Sequence, residues 1–496
     1  MGIVQKQSIT GSVYTYLGAG LGFVVSGLLF PKFLTTAEIG LINVLVAYAV
    51  LFAQFSNLGV HNITTRLFPM FRDNQSGHHG FFGLAMIINL IGIGLGLLLF
   101  WVMRSYLIDT AEADKELLRE YIHILPLLFI AVAFFLVFDD YNKVLYNSTR
   151  GIFLKEFFIR VVILLSIVGY IFELFSFKLF MYGYLAAYVL PALLFFYYLK
   201  REKSIFWKLE PRFISPEFRK ELISVGFYGI FSSLSATVVV NIDRIMIKDM
   251  MGLDAAGVYS TAFFFGILVA LPSRAVLKTI SIYIAESWKE NNLSKIHFIY
   301  QKASVNQSLI GLLLMIGLWA NIDNILLILG DDFAAGYWVI LLIGFTYFIE
   351  MVSGGANVIL NNSKSYRLVS VLLIIMILLL VVGNWWLIPR MGIVGAAISS
   401  LIARSTYNLS AVGIVWFKYR LTPFNFRYTF ILISGLICLA IDWFLPAFSS
   451  HWIDIPVRSI LIGVAFVGLN YLFRSSDELN MLFNQFLHRV RRGFKN

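Results

Sequence analysis

Fourteen long apolar stretches, separated by short polar segments, succeed one another along this chain. They fall at about 9–31, 40–64, 81–103, 121–145, 153–172, 179–199, 222–243, 255–283, 304–329, 335–360, 368–389, 392–417, 428–445 and 456–473. A helix of about 20 residues crosses the hydrocarbon core of a bilayer, whereas a barrel strand needs about 10 residues of alternating character, which none of these stretches shows. Only 14% of the 496 residues are charged against 59% hydrophobic, with a mean hydropathy of +0.81, so a soluble fold has too little polar surface to cover such a core. The expected class is therefore an all-α polytopic membrane protein of about 14 transmembrane helices. Met1 to Ser8 lead into the first apolar run with no small-residue cleavage site, so a retained first helix is expected in place of a removed signal peptide.

Orientation follows from the basic residues, which concentrate on the cytoplasmic side of a membrane. With the N-terminus inside, about 26 of the 39 Lys and Arg fall in inner segments and about 8 in outer ones. Segment 200–220 alone carries seven, while the outer loops around Asp331 and Asp454 carry none. The net charge of +11 is thus a topology signal that predicts no nucleic-acid partner, although the basic segment also favours anionic membrane lipids. Both termini are expected in the cytoplasm of a bacterial cell, with the chain in the inner (cytoplasmic) membrane. From Ser475 onward, Leu479, Leu482, Phe483, Phe486, Val490 and Phe494 share one helical face near Arg489, Arg491, Arg492 and Lys495, which predicts a capped amphipathic helix on the inner membrane face.

Every loop is short, the longest lying between the sixth and seventh spans, which leaves no room for a soluble catalytic domain. The chain is expected to divide into an N-lobe of six helices (1–199), a basic linker (200–221), a C-lobe of six helices (222–417), two appended helices (418–473) and the tail (474–496). The octapeptide from Leu34 to Leu41, after the first helix, is echoed from Met251 to Val258, after the seventh. Equivalent positions in two units of the same orientation are what parallel transporter repeats predict.

These residues carry a family resemblance. The turn with Thr35, Glu38 and Gly40 precedes Asn57-Leu58-Gly59. Asp243-Arg244-Ile245-Met246-Ile247 leads to Gly257-Val258-Tyr259-Ser260, and Gly392-Ile393-Val394-Gly395-Ala396-Ala397 follows later. In this order the chain resembles the polysaccharide flippases of the multidrug, oligosaccharidyl-lipid and polysaccharide exporter superfamily. The resemblance implies two bundles around a central cavity that opens alternately to each side. It also implies a cargo, an undecaprenyl-pyrophosphate-linked oligosaccharide turned from the inner to the outer leaflet, and other polysaccharide-assembly proteins as partners. Lipid II flippases and drug or cation antiporters are relatives, so the cargo stays open. O-antigen, capsule, exopolysaccharide and teichoic precursors all fit.

Charges within spans are costly and so point to a cavity or a partner. Arg274 and Lys278 stand at i and i+4 in the eighth span, just after Pro272, which should kink that helix and serve a gating or structural role. At 1.5 Å per residue they lie about 14 Å and 8 Å from its expected inner end, and as a pair they suit a pyrophosphate, unless they snorkel to the inner headgroups. Arg404 and Arg160 add to a substrate-binding cationic lumen or pair with private acids, Arg160 with Glu156. Glu350 is the leading ion-coupling candidate and Asp139 and Asp140 are the others, since burial raises a carboxyl's proton affinity, although Asp139 can instead bridge Lys143. Asp243 and Arg244, at the expected outer end of the seventh helix, read as gating or structural residues. Tyr14 and Tyr228 offer sugar-stacking faces, or are interfacial anchors. No cofactor is expected, and an ion gradient, of H⁺ or Na⁺, or the membrane potential is the expected energy source.

An enzyme is the rival class. Segment 104–120, the largest outer one, holds five acids but also three bases and no Asp-X-Asp, and it reads as a solvated cap without a transferase or polymerase site. No Walker A sequence, nucleophile elbow or metal-spaced His cluster occurs. The lone Cys438 excludes an intrachain disulfide and a cysteine zinc site.

Overall fold

The computed structural model describes residues 3–108, 112–210, 213–446, 448 and 450–493. The described residues are helical, with no strand among them. Among the described residues twelve helices are long and apolar enough to cross a membrane. Two further continuous stretches complete the set of fourteen, 149–171 and Ile393–Tyr419. These two are more polar than the twelve in different ways: the first carries Arg150, Lys155, Glu156 and Arg160, and the second carries Arg404 among several Ser, Thr and Asn residues.

Several spans read as uninterrupted in the sequence are broken. The second is helical over Thr36–Ser56 and again over Val60–Phe71. Between them Leu58 and Gly59 adopt left-handed conformations, φ 46° and 78°. A Cβ on Gly59 would lie 2.1 Å from the Gly226 carbonyl oxygen, so glycine is required there both for its backbone and for its neighbour. The eighth span is interrupted at Pro272 as expected. Leu253–Ile267 ends in a 3₁₀ turn, Leu268–Ala270, and a new helix runs over Ser273–Lys289. Asn321 divides the ninth into Leu293–Ala320 and Ile322–Leu329, and Gly354 divides the tenth into Tyr337–Ser353 and Gly355–Asn361. The seventh is longer than expected, Pro216–Met251, because Ser215 caps it by accepting from the Phe218 N–H and because its C-terminal end continues past Lys248.

The chain forms two compact units, Met1–Ser260 and Thr261–Asn496, whose boundary falls within the eighth span. In the first, the apolar core gathers where the C-terminal ends of the second, fourth and sixth spans meet the N-terminal end of the third, around Phe68, Phe71, Phe81, Phe82, Phe138 and Tyr141. The first and fifth spans carry π-helical turns, Phe23–Leu29 and Phe153–Phe158. In the second unit one cluster surrounds Tyr300, Ile284, Ile359 and Val415, and another joins the ninth span to the two final spans through Ile316, Cys438 and Phe466. Arg458 fixes the C-terminal end of the thirteenth span to the N-terminal end of the fourteenth, with Nε 3.1 Å from Asp454 and Nη1 2.5 Å from Asp442.

One crossing in the first unit explains the internal repeat. A Cβ on Gly40 would sit 2.0 Å from the Leu253 carbonyl oxygen, and a Cβ on Gly257 would sit 1.9 Å from the Thr36 carbonyl oxygen. Thr36 and Leu253 are equivalent in the repeat, as are Gly40 and Gly257. The contact is therefore reciprocal, each copy's glycine lying on the other copy's carbonyl. Around it Thr36 Oγ1 donates to Asp254 at 2.5 Å, Asp114 accepts from the Leu253 N–H at 2.6 Å, and Thr35 and Glu38 form a capping box.

The tail is helical over Asp477–Gly493 and is capped by Ser476, whose Oγ accepts from the Leu479 N–H at 3.3 Å. Arg427 grips Asp477 with two bonds of 2.8 and 3.0 Å, and Lys302 pairs with Glu478. Burial acts to raise Glu478, but the bonds from Lys302 and Asn306 outweigh it and hold the carboxyl below the usual range.

Two outcomes are expected. Gly40→Val and Gly257→Val each introduce a backbone clash, costing about 1–3 kcal/mol, and should lower the melting temperature of the purified protein, whereas Gly94→Val, whose Cβ meets nothing within 4 Å, should not. Equal melting of all three would show that the crossing is loose. Because the folded Glu478 titrates below its unfolded value, its contribution to tail docking is present above the unfolded value and is lost as pH falls through the depressed one. Fluorescence anisotropy of a label on Met481→Cys, in a Cys438→Ala background, should drop on that acid excursion and should already be low at neutral pH with Glu478→Gln.

Candidate functional site

The interruption at Pro272 places a helix N-terminus within the eighth span, with Arg274 in its first turn and Lys278 one turn on. Both side chains are exposed, and neither has an ion pair or hydrogen bond among the described residues. The helix runs to Lys289, so Arg274 lies about 22 Å from its end and Lys278 about 16 Å, because the helix is longer than the sequence predicts. Two exposed cations beside the positive end of a helix dipole form a field suited to an anion. Ser273 is buried beneath them, its Oγ donating to Gln307 Oε1 at 2.5 Å.

Arg404 and Glu350, given separate roles in the sequence reading, stand together. Arg404 is buried, with Nη1 3.6 Å from Glu350 Oε2 and its guanidinium 5.3 Å from the centre of the Tyr347 ring. Glu350 keeps 39% of its side chain exposed. It lies one turn before the break at Gly354, whose N–H donates to the Glu350 carbonyl at 2.7 Å. Beside them Asn357 Nδ2 donates to Asn408 Oδ1 at 2.9 Å.

In the first unit Asp139 and Asp140 are both buried. Lys143 Nζ reaches Asp139 at 2.6 Å and Asp140 at 3.3 Å, and His61 Nδ1 lies 2.9 Å from Asp140. Asp139 Oδ1 has no hydrogen-bond partner and faces Gly151, where a Cβ would come within 1.7 Å of it. Two acids, one lysine and one histidine can hold a proton in several arrangements. Arg160 lies about 16 Å into its helix, well beyond the one or two turns expected, because the helix starts at Thr149. It pairs with Glu156 at 3.3 Å against Gly18 and Gly22 of the first span.

Asp243 and Arg244 do not lie at the end of their helix. It continues to Met251, which puts them about two turns inside. Asp243 is buried and accepts from the Tyr259 hydroxyl at 2.7 Å, and Arg244 donates to Asn241 at 3.4 Å. Tyr14 packs edge-on against Phe153 at 5.0 Å and is half-buried, whereas the Tyr228 ring is 71% exposed. Among the described residues no group of three or more His, Cys, Asp or Glu is placed to hold a metal ion.

Residues 4–277 match the profile of the polysaccharide biosynthesis proteins. The chain belongs to that family. Its fold is that of the multidrug, oligosaccharidyl-lipid and polysaccharide exporter superfamily. The lipid II flippase MurJ in an inward closed conformation superposes with a TM-score of 0.75 at 12% identity, covering 94% of this chain and 98% of that one. A point mutant of a MATE protein gives 0.53 at 15% identity, with 85% and 97% covered. A superfamily transporter from Pyrococcus furiosus gives 0.51 at 17% identity, with 84% and 96% covered. At these identities the likeness is one of fold. No curated protein matches the sequence.

For this polysaccharide biosynthesis family member, the structure adds residues that sequence reasoning did not single out. His61 is an ionisable residue two positions past the Gly59 break, a signal the sequence contains. Lys248 is wholly buried, with Nζ 2.8 Å from the Leu107 carbonyl and 2.9 Å from Asp249.

The Glu350–Arg404 pair is unequal, since the acid is far better solvated than the base. Glu350→Leu strips the counter-ion from a buried guanidinium and should cost about 3–5 kcal/mol, against less for Arg404→Leu, which leaves a partly solvated carboxylate. Melting curves of the two variants in nanodiscs test the order, and a reversed order would contradict the assigned burial.

Proposed function

We propose that this protein is a flippase that moves an undecaprenyl-pyrophosphate-linked oligosaccharide from the inner to the outer leaflet of the bacterial cytoplasmic membrane, for surface polysaccharide assembly. The family and the exporter fold support transport of a polysaccharide precursor. The observation that carries the cargo chemistry is the pair Arg274 and Lys278, unpaired and exposed beside a helix N-terminus inside a span. A pyrophosphate with its sugars cannot enter hydrocarbon, because each unpaired polar group costs several kcal/mol there and a charge far more. Arg274 offers the forked donor for the pyrophosphate, Lys278 a point charge, and the helix N-terminus further N–H groups. The polyprenyl tail stays in lipid.

Alternating access of the two six-helix lobes moves the head group across. The energy source in this reading is an H⁺ or Na⁺ gradient. Protonation of Glu350 would release Arg404, which couples ion binding to the break at Gly354, and the His61, Asp139, Asp140 and Lys143 group is the second coupling candidate. The basic inner segments support cytoplasmic termini. The superposition with a lipid II flippase favours a second reading, lipid II itself, which presents the same lipid pyrophosphate and differs in its sugars.

Complementation tests the proposal. In a flippase-null host that the wild-type protein restores, Arg274→Ala should cut surface glycan roughly tenfold or more, in line with the ~1.5–3 kcal/mol of a hydrogen bond to a charged group. Arg274→Lys should recover only part and Lys278→Arg should be tolerated. Normal glycan from Arg274→Ala protein at wild-type abundance would remove the anion site. Rescue of a lipid II flippase-null strain, with no rescue of the polysaccharide strain, would select the second reading.

A further inference from the structure

At the inner end of the first unit lies a cavity of about 430 Å³, within the ~300–1,000 Å³ typical of small-molecule sites. Asn74, Asn142, Asn147, Glu202, Ser204 and Phe206 line it. It is formed where the fourth span, Ile124–Val144, and the sixth, Phe177–Arg201, end side by side.

Both helices stop in the same way. Tyr146 and Lys203 adopt left-handed conformations, φ 63° and 54°. The next N–H in each case bonds five residues back, Asn147 to the Asn142 carbonyl and Ser204 to the Leu199 carbonyl, both at 3.1 Å. These are Schellman-type ends built without glycine, and each directs the negative pole of a helix dipole toward this region.

That field decides the ligand's chemistry. Two helix C-termini disfavour an anion, and His78 on the wall, held below its usual range by burial, adds no fixed positive charge to offset them. A cation is disfavoured too, because the carboxylate on the wall, Glu202, is paired with Arg150, which holds it below the usual range, and Lys203 stands on the rim with no partner. What remains are neutral groups that both donate and accept. Asn142 is 99% buried and donates its Nδ2 to the Asn147 carbonyl, which leaves Oδ1 with no protein donor. The Asn74 amide is exposed and has no partner among the described residues. Phe206 presents an apolar ring to the cavity, seated so closely on Gly77 that a Cβ there would come within 2.4 Å of it. Side-chain amides that donate and accept to neighbouring hydroxyls, beside an aromatic face, match an uncharged polyol ring.

We infer that this cavity is a binding site for neutral sugar units, a recognition subsite for the uncharged part of the glycan, separate from the charges assigned to the pyrophosphate. The inference rests on the flippase reading for the source of the sugar, though not for its chemistry.

Saturation-transfer NMR on the full-length protein in nanodiscs, with glucose, galactose, mannose and N-acetylglucosamine as probes, tests it. At least one sugar should show transfer, inorganic phosphate should not compete, and the double variant Asn74→Ala/Phe206→Ala, two exposed residues, should lose the signal at least severalfold while melting like the wild type. Absence of transfer from all four sugars, displacement by phosphate, or undiminished transfer in the variant would overturn the site. In the complemented flippase-null strain the same variant should lower surface glycan severalfold, and unchanged glycan would overturn its role as a cargo subsite. If the wild-type protein restores no glycan at all, the flippase reading fails instead, whatever the NMR shows.

Discussion

A buried charge in hydrocarbon must find a partner or a polar surface, and most of this structure can be understood from how its intramembrane charges meet that demand. Lys248 is sealed against Asp249 and a backbone carbonyl, Lys143 holds two carboxylates at once, and Arg160 folds back on Glu156. Arg404 shares Glu350 and the face of Tyr347. Set among these satisfied cations, Arg274 and Lys278 differ in kind. Their side chains are exposed and their helix begins where a proline has already broken the span. The contrast between charges that hold the fold and charges left available is the physical basis for separating scaffold from function.

The number of spans was legible in the sequence because hydrophobicity averaged over a membrane thickness is a strong signal. Local interruptions were only partly legible. Pro272 announced its break, but Gly354 and Asn321 looked like ordinary members of apolar runs, and the left-handed turn at Leu58 and Gly59 was hidden inside a family motif. The end of the seventh helix was misread for an electrostatic reason. Lys248 and Asp249 resemble loop residues when counted singly, and only as a neutralised pair can they extend a helix by two turns.

Partnerships at helical spacing, such as Asp139 with Lys143 or Glu156 with Arg160, could be written down from sequence spacing alone. Partnerships between spans could not. Nothing in the sequence near Glu350 names Arg404, and nothing near Asp140 names His61, because each pair is assembled by packing that brings distant segments together. The aromatic candidates separate in the same way. Tyr14 is engaged by the fifth span, while Tyr228 keeps an open ring, a difference set by neighbours and not by residue type.

The reciprocal glycine crossing has a consequence for how such a chain can move and how it can vary. At the crossing point itself backbone meets backbone, and the side chains that join the two segments, Thr36 to Asp254 and Asp114 to the Leu253 N–H, stand around it, so any rotation there has to break those bonds before peptide can slide past peptide. The same close approach leaves it intolerant of change. The obstacle met by any new side chain at Gly40 or Gly257 is a carbonyl group, which no rotamer adjustment can move aside. Because each half of the joint repeats the other, a bulky residue in one cannot be relieved by trimming the other, where nothing is left to remove.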